Sequence, residues 1–597
     1  MRSIALAMGL TFGSALAPTV SAQEVQLVVP GAPENLVSIL QTASLVYALE
    51  ADPQNPASVQ DYVAAARADY TRLLTGLYAE GYYGGTISIL LDGREAAGIA
   101  PLDASTVLNR VVMQVTPGPQ FTFGQTQIAP LASGTELPAA FAPGEIARSD
   151  TIRTAVNASV TAWQNEGFAK AAPAGQQITA RHPTDTLDVQ VAIAPGPRLT
   201  FGALSVSGNQ AVRTDRIVDI AGLPSGEVYS PDDVDRAAAR LRRTGAFSSV
   251  TFVESDTVGP GDTLPFEVQV VEQKRRRLGF GAELSSLDGL ALSAYLQNRN
   301  LLGGAERLRY DAEIAGIGGG TGGIDYSLGV SFLRPRTFNV DTDLYANAKI
   351  EQRDEPDYFL RKFSTAVGLN RLIGTDLTVS GGLGLETAEV RDGLGMRRYT
   401  ILTAPITGKL DRRDDPLDAK AGYYVDARVT PFVGLAGSDS GARLYGDARV
   451  YRSFGADQKV TLAFRGQIGS LLGASAASAP TDFLFYSGGG GSVRGQPYQS
   501  LGVDVGGVTV GGLSLFVASL EARVQVTQKI GIVGFYDYGY VGAKSTPLTG
   551  GTDHAGAGLG LRYDTGIGPI RLDLATAVSG PGGSGGVQIY IGIGQSF

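Results

Sequence analysis

The chain has 597 residues, 43% hydrophobic and 18% charged, with a formal net charge of −9 and a pI near 5.1. That acidity argues against nucleic acid as a partner, because phosphate backbones are bound by basic surfaces. The length calls for two or more folding units, and the absence of cysteine removes disulfides and thiolate metal sites from consideration.

Residues 1–22 combine Arg2, the apolar run IALAMGLTFGSALA and the small residues VSA ahead of Gln23. Together they read as a secretory signal peptide, with the mature chain starting near Gln23 outside the cytoplasm. Beyond it no uninterrupted apolar run reaches the roughly 18 residues of a spanning helix, so any membrane span must consist of strands.

The stretch PGPQFTFG at 117–124 returns as PGPRLTFG at 195–202, 78 residues on. Glu166-Gly167-Phe168 is followed by Thr244-Gly245-Ala246-Phe247 at the same displacement, and LYAEGYYGG at 77–85 is similar to WQNEGFAKA at 163–171. A fixed displacement marks repeated modules, and three are expected: 23–118, 119–197 and 198–276. In the third, LTFGALSVSG alternates as a strand, RTDRIVDIAGL is a short helix, and Pro231 opens a second helix that Gly245 ends. Two strands follow, so each unit is expected to be a small α+β domain ordered strand, helix, helix, strand, strand.

From 277 to 597 the helical period gives way to strict alternation. In ERLRYDAEI, Leu308, Tyr310, Ala312 and Ile314 oppose Arg307, Arg309, Asp311 and Glu313. Such stretches start near 278, 289, 305, 324, 341, 357, 375, 398, 421, 442, 458, 514, 529, 555, 569 and 586, which predicts an all-β barrel of sixteen strands. Closure pairs every backbone group, an apolar face meets lipid, and a charged face lines a wet lumen. A soluble sandwich would instead bury its apolar faces against one another.

One long interval, between the strands near 458 and 514, contains FYSGGGGSVRGQPYQSLG. It lacks the lysine of a phosphate-binding loop. The pattern G-x-S-x-G occurs at Gly582–Gly586 within GPGGSGG, where a flexible turn is expected, and His182 and His554 stand in different halves of the chain. No catalytic residue, metal ligand or cofactor is expected, and the chain is read as a non-enzyme. The run Lys274-Arg275-Arg276-Arg277 reads as a solvated junction, with lipid headgroups as the alternative contact.

The repeated modules resemble POTRA domains, the periplasmic modules of the BamA/TamA superfamily of outer-membrane assembly proteins. Val493, Arg494 and Gly495 resemble that superfamily's V-R-G-F/Y loop motif; Gln496 replaces the aromatic, leaving Tyr498 to supply its packing. The resemblance implies a loop folded back into the barrel, where an arginine needs a carboxylate. Glu521 and Asp537 resemble the family's acidic positions on the twelfth and thirteenth strands, and alternation turns both toward the lumen. A solvated loop arginine is the alternative.

QNRNLLGGAERL at 297–308 is similar to the N-x-N-L-x-G signature. Asp411, Arg413, Asp414, Pro416 and Gly422 match the D-x-R-D-x-P…G turn, with Ala419 at its second proline position. In GVQIYIGIGQSF, Val587, Ile589, Ile591, Ile593 and Phe597 are expected on one face, with Gly592 and Gly594 weakening the strand.

Three modules resemble the TamA type, whereas the BamA type usually has five. The resemblance implies a bacterial outer-membrane protein with periplasmic N-terminal domains that assists insertion of unfolded barrel clients such as autotransporters. A TamB-like inner-membrane-anchored partner and outer-membrane lipid are implied as well. The alternative is a two-partner secretion transporter exporting an adhesin or haemolysin, a type with two modules and a plug helix.

Overall fold

The computed structural model describes residues 24–51, 57–100, 107–285, 289–320, 322–455, 457–565, 568–580 and 586–597. The signal-peptide segment and most of GPGGSGG lie outside them. The chain divides into two compact units; the third module and the barrel share the second.

In the first module Glu24–Val28 pairs in parallel with Arg110–Thr116, which pairs in turn with Thr86–Leu91. Helices Glu34–Ala43 and Val59–Ala79 bury Leu36, Leu40, Leu73 and Leu77 against Ile89, Val111, Met113 and Val115 of that sheet. Asp69 is fully buried, with no counter-cation among the described residues. It accepts from Ser44 Oγ at 2.5 Å and from the backbone N–H of Leu45 at 2.8 Å, so it closes the start of helix Leu45–Glu50.

The second module departs from the expected order. Its sheet, Thr122–Ala129, Thr186–Ala194 and Ala172–Arg181, is covered by one helix, Ser149–Asn165, and no first helix forms among the described residues. Pro130, Pro138 and Pro143 fall in the intervening segment, where missing N–H groups and fixed φ values prevent a continuous helix. The third module has helices Thr214–Ala221 and Pro231–Arg243 over Thr200–Ser207, Thr263–Glu272 and Phe247–Glu254.

The closed barrel comprises β1 (Arg276–Ser285), β2 (Gly289–Asn298), β3 (Arg307–Ile317), β4 (Asp325–Arg334), β5 (Thr342–Asp354), β6 (Tyr358–Ile373), β7 (Leu377–Asp392) and β8 (Gly395–Thr403 with Ile406–Asp411). It continues as β9 (Gly422–Ala436), β10 (Gly441–Phe454), β11 (Val460–Leu472), β12 (Ser514–Gln525), β13 (Ile530–Gly542), β14 (Gly551–Tyr563), β15 (Ile570–Ser579) and β16 (Gln588–Ile593). Both segments of β8 pair with β7 and with β9, so they form one strand interrupted at Ala404-Pro405. Pro405 has no N–H to donate to the ladder, which accounts for the break.

The outward faces are apolar. Leu278, Phe280, Leu328, Ile350, Val433, Leu462, Ile468, Leu559 and Leu574 are all exposed, as on the band that hydrocarbon covers in a membrane barrel.

At one end of the barrel two turns grip the third module. In the turn after β2, Asn300 Oδ1 accepts from Ala305 N at 3.0 Å and Glu306 accepts from Gly304 N at 2.9 Å, which gives the N-x-N-L-x-G stretch its shape. Ala305 packs into the module's core with Ile217, Ile220 and Leu241, and Arg213 N donates to Gly303 O at 2.9 Å. Arg275 donates to Asn300 O at 3.0 Å and Leu301 O at 3.1 Å. The basic run is therefore more than a solvated junction: Arg275 braces this turn.

In the turn after β4, Arg240 holds Asp341 through two hydrogen bonds of 2.8 and 3.2 Å, and Arg336 pairs with Asp219 at 2.9 Å. Burial works to raise the Asp341 pKa. The Arg240 hydrogen bond and the charges of Arg240, Arg243 and Arg236 outweigh it and hold the carboxyl below its ordinary value. A depressed folded pKa contributes stability that is present above the unfolded value and lost as pH falls through the folded one. Protection of the amides of Thr214–Ala221 and Pro231–Arg243, taken relative to the intrinsic exchange rate at each pH, should therefore fall on acidification below the ordinary carboxylate range, and Asp341→Asn should bring the lower protection to neutral pH. Identical exchange in variant and wild type at neutral pH would show that Asp341 does not hold this junction.

Candidate functional site

The segment 473–513 between β11 and β12 enters the barrel and crosses its interior. Its tip presents Val493 and Arg494, both buried, to the inner faces of β12–β15. Glycines at the contact make the approach possible. A Cβ on Gly556 would stand 1.9 Å from Arg494 O, and Gly495, at φ +88°, lies against the backbone of Thr576. No other residue fits either position without moving the chain.

Arg494 binds Asp537 through Nε at 2.7 Å and Nη2 at 3.0 Å, and its backbone N–H donates to the same carboxylate at 3.1 Å. Nη1 reaches Glu521 at 2.7 Å and Asp573 at 3.5 Å, while the guanidinium lies 3.6 Å from the centre of the Phe535 ring. Side-chain exposures of 3% for Arg494, 0% for Glu521 and 1% for Asp537 put the contacts out of water.

The carboxylates are shared further. Glu521 accepts from Arg523 at 2.9 Å and Asp573 from Arg562 at 2.5 Å. Three cations thus face three anions, which is what offsets the desolvation of each. Glu521 and Asp537 stand out in the sequence. Alternation puts Arg523 on the face of Glu521 and Asp573 on the charged face of its strand, but it does not mark either of them, or Arg562, as members of the Arg494 cluster, because which inward side chains meet depends on barrel register.

Gln496 is fully buried and donates through Nε2 to Ala555 O at 2.7 Å and Ser579 O at 2.8 Å. It occupies the motif's aromatic position itself. Tyr498 does not replace it: that ring is half-buried against Gly489, at the other side of the glycine segment. His554, the buried histidine, meets Ser487 of the loop at 2.8 Å.

A second anchor, unsuspected from sequence, fixes the start of the segment to the opposite wall. Asp482 accepts from Lys362 at 2.6 Å and from Tyr399 Oη at 2.7 Å, and Arg443 donates to Phe483 O at 3.0 Å. Between the anchors Phe483, Leu484, Phe485, Leu501, Val503 and Val510 pack with Leu360, Val390, Ile401, Phe432 and Val517 of the wall. An apolar plug therefore fills the barrel at the end away from the third module.

The other end is closed by the turn after β8 and the C-terminal tail. Arg413 binds Asp411 at 2.9 and 2.8 Å, and Asp414 accepts from Lys420 N at 3.0 Å and Ala421 N at 3.2 Å. Pro416 O accepts from Arg413 at 3.1 Å, and Gly422, at φ +95°, lets the chain enter β9. Gln595 joins this turn through Leu417 O at 3.2 Å and Asp418 at 2.9 Å.

Phe597 corrects the sequence expectation. It does not share the outward face of Ile589 and Ile591. The strand stops at Ile593, Gly594 turns at φ +86°, and Phe597 is buried with Ala419, Tyr451 and Ala463, its carbonyl accepting from Arg523 at 3.1 Å. Gly594 is thus outside the strand, while Gly592 sits within it opposite Arg571.

The barrel closes between β1 and β16. β1 pairs with β2 over ten residues, and with β16 the described register has the pair Ser285↔Tyr590. Tyr590 also accepts from Gly495 N at 3.1 Å, so the loop tip touches the last strand from inside.

Modules of this α+β pattern ahead of a barrel with a pinned interior loop define a class, the POTRA-bearing barrels. The profile of the Omp85 superfamily domain matches residues 300–597, and that of the POTRA domain, described as surface antigen variable number repeat, matches 199–273. The chain belongs to the Omp85 superfamily. It is similar in structure to BamA from Haemophilus ducreyi lacking POTRA domains 1–3, at 16% identity and a TM-score of 0.61, over 79% of this chain and 99% of that one. It is also similar to CdiB from Acinetobacter baumannii, at 12% identity and a TM-score of 0.51, over 80% and 90% respectively. These likenesses speak to the shared fold.

Arg494→Ala would leave three buried carboxylates with two cations, a loss on the order of 3–5 kcal/mol. Arg494→Lys restores the charge but not the fork that grips Asp537. Heat-modified gel migration should show the Ala variant unfolding well below wild type and the Lys variant in between. A wild-type transition for Arg494→Ala would mean that the cluster does not hold the loop.

Proposed function

We propose that this chain is a TamA-type assembly factor of the bacterial outer membrane, with its modules in the periplasm, that assists the insertion and translocation of barrel clients such as autotransporters. The β1–β16 seam carries this reading. β16 has six strand residues and meets β1 in the described register at Ser285↔Tyr590, and a client strand pairing with either of these edges could take over that closure with pairing of its own.

Delivery to the seam is assigned to the modules. Ala172–Arg181 is an edge strand, bonded on one side only among the described residues and exposed along nearly its whole length, the kind of edge that captures an extended segment. The TamB-like partner and the choice of autotransporters come from the family resemblance and are part of the proposal.

A two-partner secretion transporter is the second reading, favoured by the likeness to CdiB. It would require the doubly anchored loop to leave the lumen. Residues 24–28 form a sheet strand in place of the plug helix expected of that type, which supports assembly instead.

The two readings diverge when the seam is locked. The pair Ser285→Cys and Tyr590→Cys sits on the described register pair, where antiparallel neighbours come within disulfide reach, the sequence has no native cysteine to interfere, and the reduced variant controls for loss of the Tyr590 contact to Gly495. Oxidation should abolish client insertion and reduction restore it. Full insertion through a quantitatively locked seam would overturn the assembly reading.

Removal of residues 23–197 keeps the third module on its two turns. This truncated chain should still fold as a heat-modifiable barrel and lose most client assembly. Undiminished assembly would refute recruitment by the first two modules.

A further inference from the structure

The outer wall carries a constellation that neither the loop nor the seam uses. In register across β4–β8 stand Tyr326, Gln352, Arg361, Glu389 and Arg398; one step further from the third module Phe359 is paired with Arg391. One step nearer, the row is Leu328, Ile350, Phe363, Thr387 and Thr400. The outward face thus changes from apolar to cationic at one level on neighbouring strands.

The three arginines are exposed, and they are not equivalent. Arg398 is paired with Glu389 at 2.7 Å. Arg361 meets the Gln352 amide oxygen at 3.1 Å, and the guanidinium groups of Arg361 and Arg391 lie 5.3 and 5.1 Å from the Phe359 ring centre. Neither Arg361 nor Arg391 has a carboxylate partner among the described residues. Other arginines at this end turn inward instead: Arg397 reaches Thr481 at 3.1 Å, and Arg443 reaches Phe483 O.

Around the cations the outer wall has an open, shallow depression of about 660 Å³ lined by Leu328, Ile350 and Phe363 together with Arg361, Glu389 and Arg398. It is contiguous, through those three apolar side chains, with a second cavity of about 550 Å³ bordered by Ala294, Ala312 and Ala348. Alanines where neighbouring positions carry leucine or tyrosine leave a trough in the barrel's outer surface.

We propose that this wall is a binding site for a phosphate-bearing lipid of the outer leaflet, with its headgroup phosphate at Arg361 and Arg391 and an acyl chain in the trough. The inference rests on the outer-membrane placement above. Guanidinium groups bind phosphate through paired, charge-assisted hydrogen bonds, and the groove beneath them offers an acyl chain a fitted wall whose gain is in packing contacts, since the surroundings are hydrocarbon either way. The joined charge and trough are what select a lipid over a soluble anion, which would gain nothing from the trough.

The test uses the full chain in phosphatidylcholine nanodiscs doped with diphosphoryl lipid A, or with the same lipid stripped of phosphate, followed by native mass spectrometry of the released protein. Wild type should retain the phosphorylated lipid at least tenfold more than the stripped one. Arg361→Gln with Arg391→Gln should remove that preference, whereas Arg371→Gln, nearer the third module on β6, should keep it. Ala312→Phe, which fills the trough and leaves the cations intact, should lower retention several-fold.

Equal retention by the double variant, or no preference for phosphate, would overturn the proposal. Displacement of the lipid by millimolar inorganic phosphate alone would do so too, assigning the cations to a free anion. None of these readouts depends on client assembly, so a chain that retains the lipid but inserts no client would count against the assembly reading alone.

Discussion

The contact on which the rest of the barrel depends is the guanidinium of Arg494 among Glu521, Asp537 and Asp573. A cation brought out of water is tolerated only when neighbouring anions and hydrogen bonds replace its hydration. Each carboxylate carries the same cost, and Arg523 and Arg562 complete the set. Because the three anions stand on β12, β13 and β15, the arginine ties those strands to the loop, and the loop cannot leave without exposing or stranding charge on all of them. The apolar plug near Phe483 and Phe485 is held in the barrel by this commitment at one side and by Asp482 with Lys362 at the other.

The cluster also reaches the last strand. Gly495 donates to Tyr590, and Arg523, which binds Glu521, donates to the carbonyl of Phe597. β16 is therefore held by its six-pair ladder with β15 and, from inside, by the loop tip, Arg523 and the β8–β9 turn, while the described register joins it to β1 at Ser285↔Tyr590. Contacts from the lumen thus add to the ladder in positioning the strand that closes the barrel. At the same end, the turns after β2 and β4 are occupied by the third module, which fixes the first strands against that module.

What could be read without coordinates follows range. Alternation is a local property with a period of two, so the strands of the barrel could be placed within a few residues of their starts. The one broken strand, β8, turns on Pro405. Helix Pro231–Arg243 was equally plain from its proline start and glycine end. The second module's missing helix shows the limit of repeats: homologous position suggested an element that Pro130, Pro138 and Pro143 forbid. Arg275 looked like a solvated charge because its partners, Asn300 O and Leu301 O, are backbone atoms of a turn about 25 residues away.

The sequence by itself determined the modular order, the all-β second half, and an arginine in a glycine-rich segment with acidic residues on later strands, since each is written in spacing or residue type along the chain. Tertiary structure alone decided which carboxylates share that arginine, that Asp482 pins the segment to the far wall, that Phe597 turns inward, and that β1 meets β16 at Ser285↔Tyr590. Those outcomes depend on barrel closure and register, which bring residues from up to 177 positions apart, as with Asp418 and Gln595, into contact. Alternation specifies which way a side chain points, but not which distant side chain it meets there.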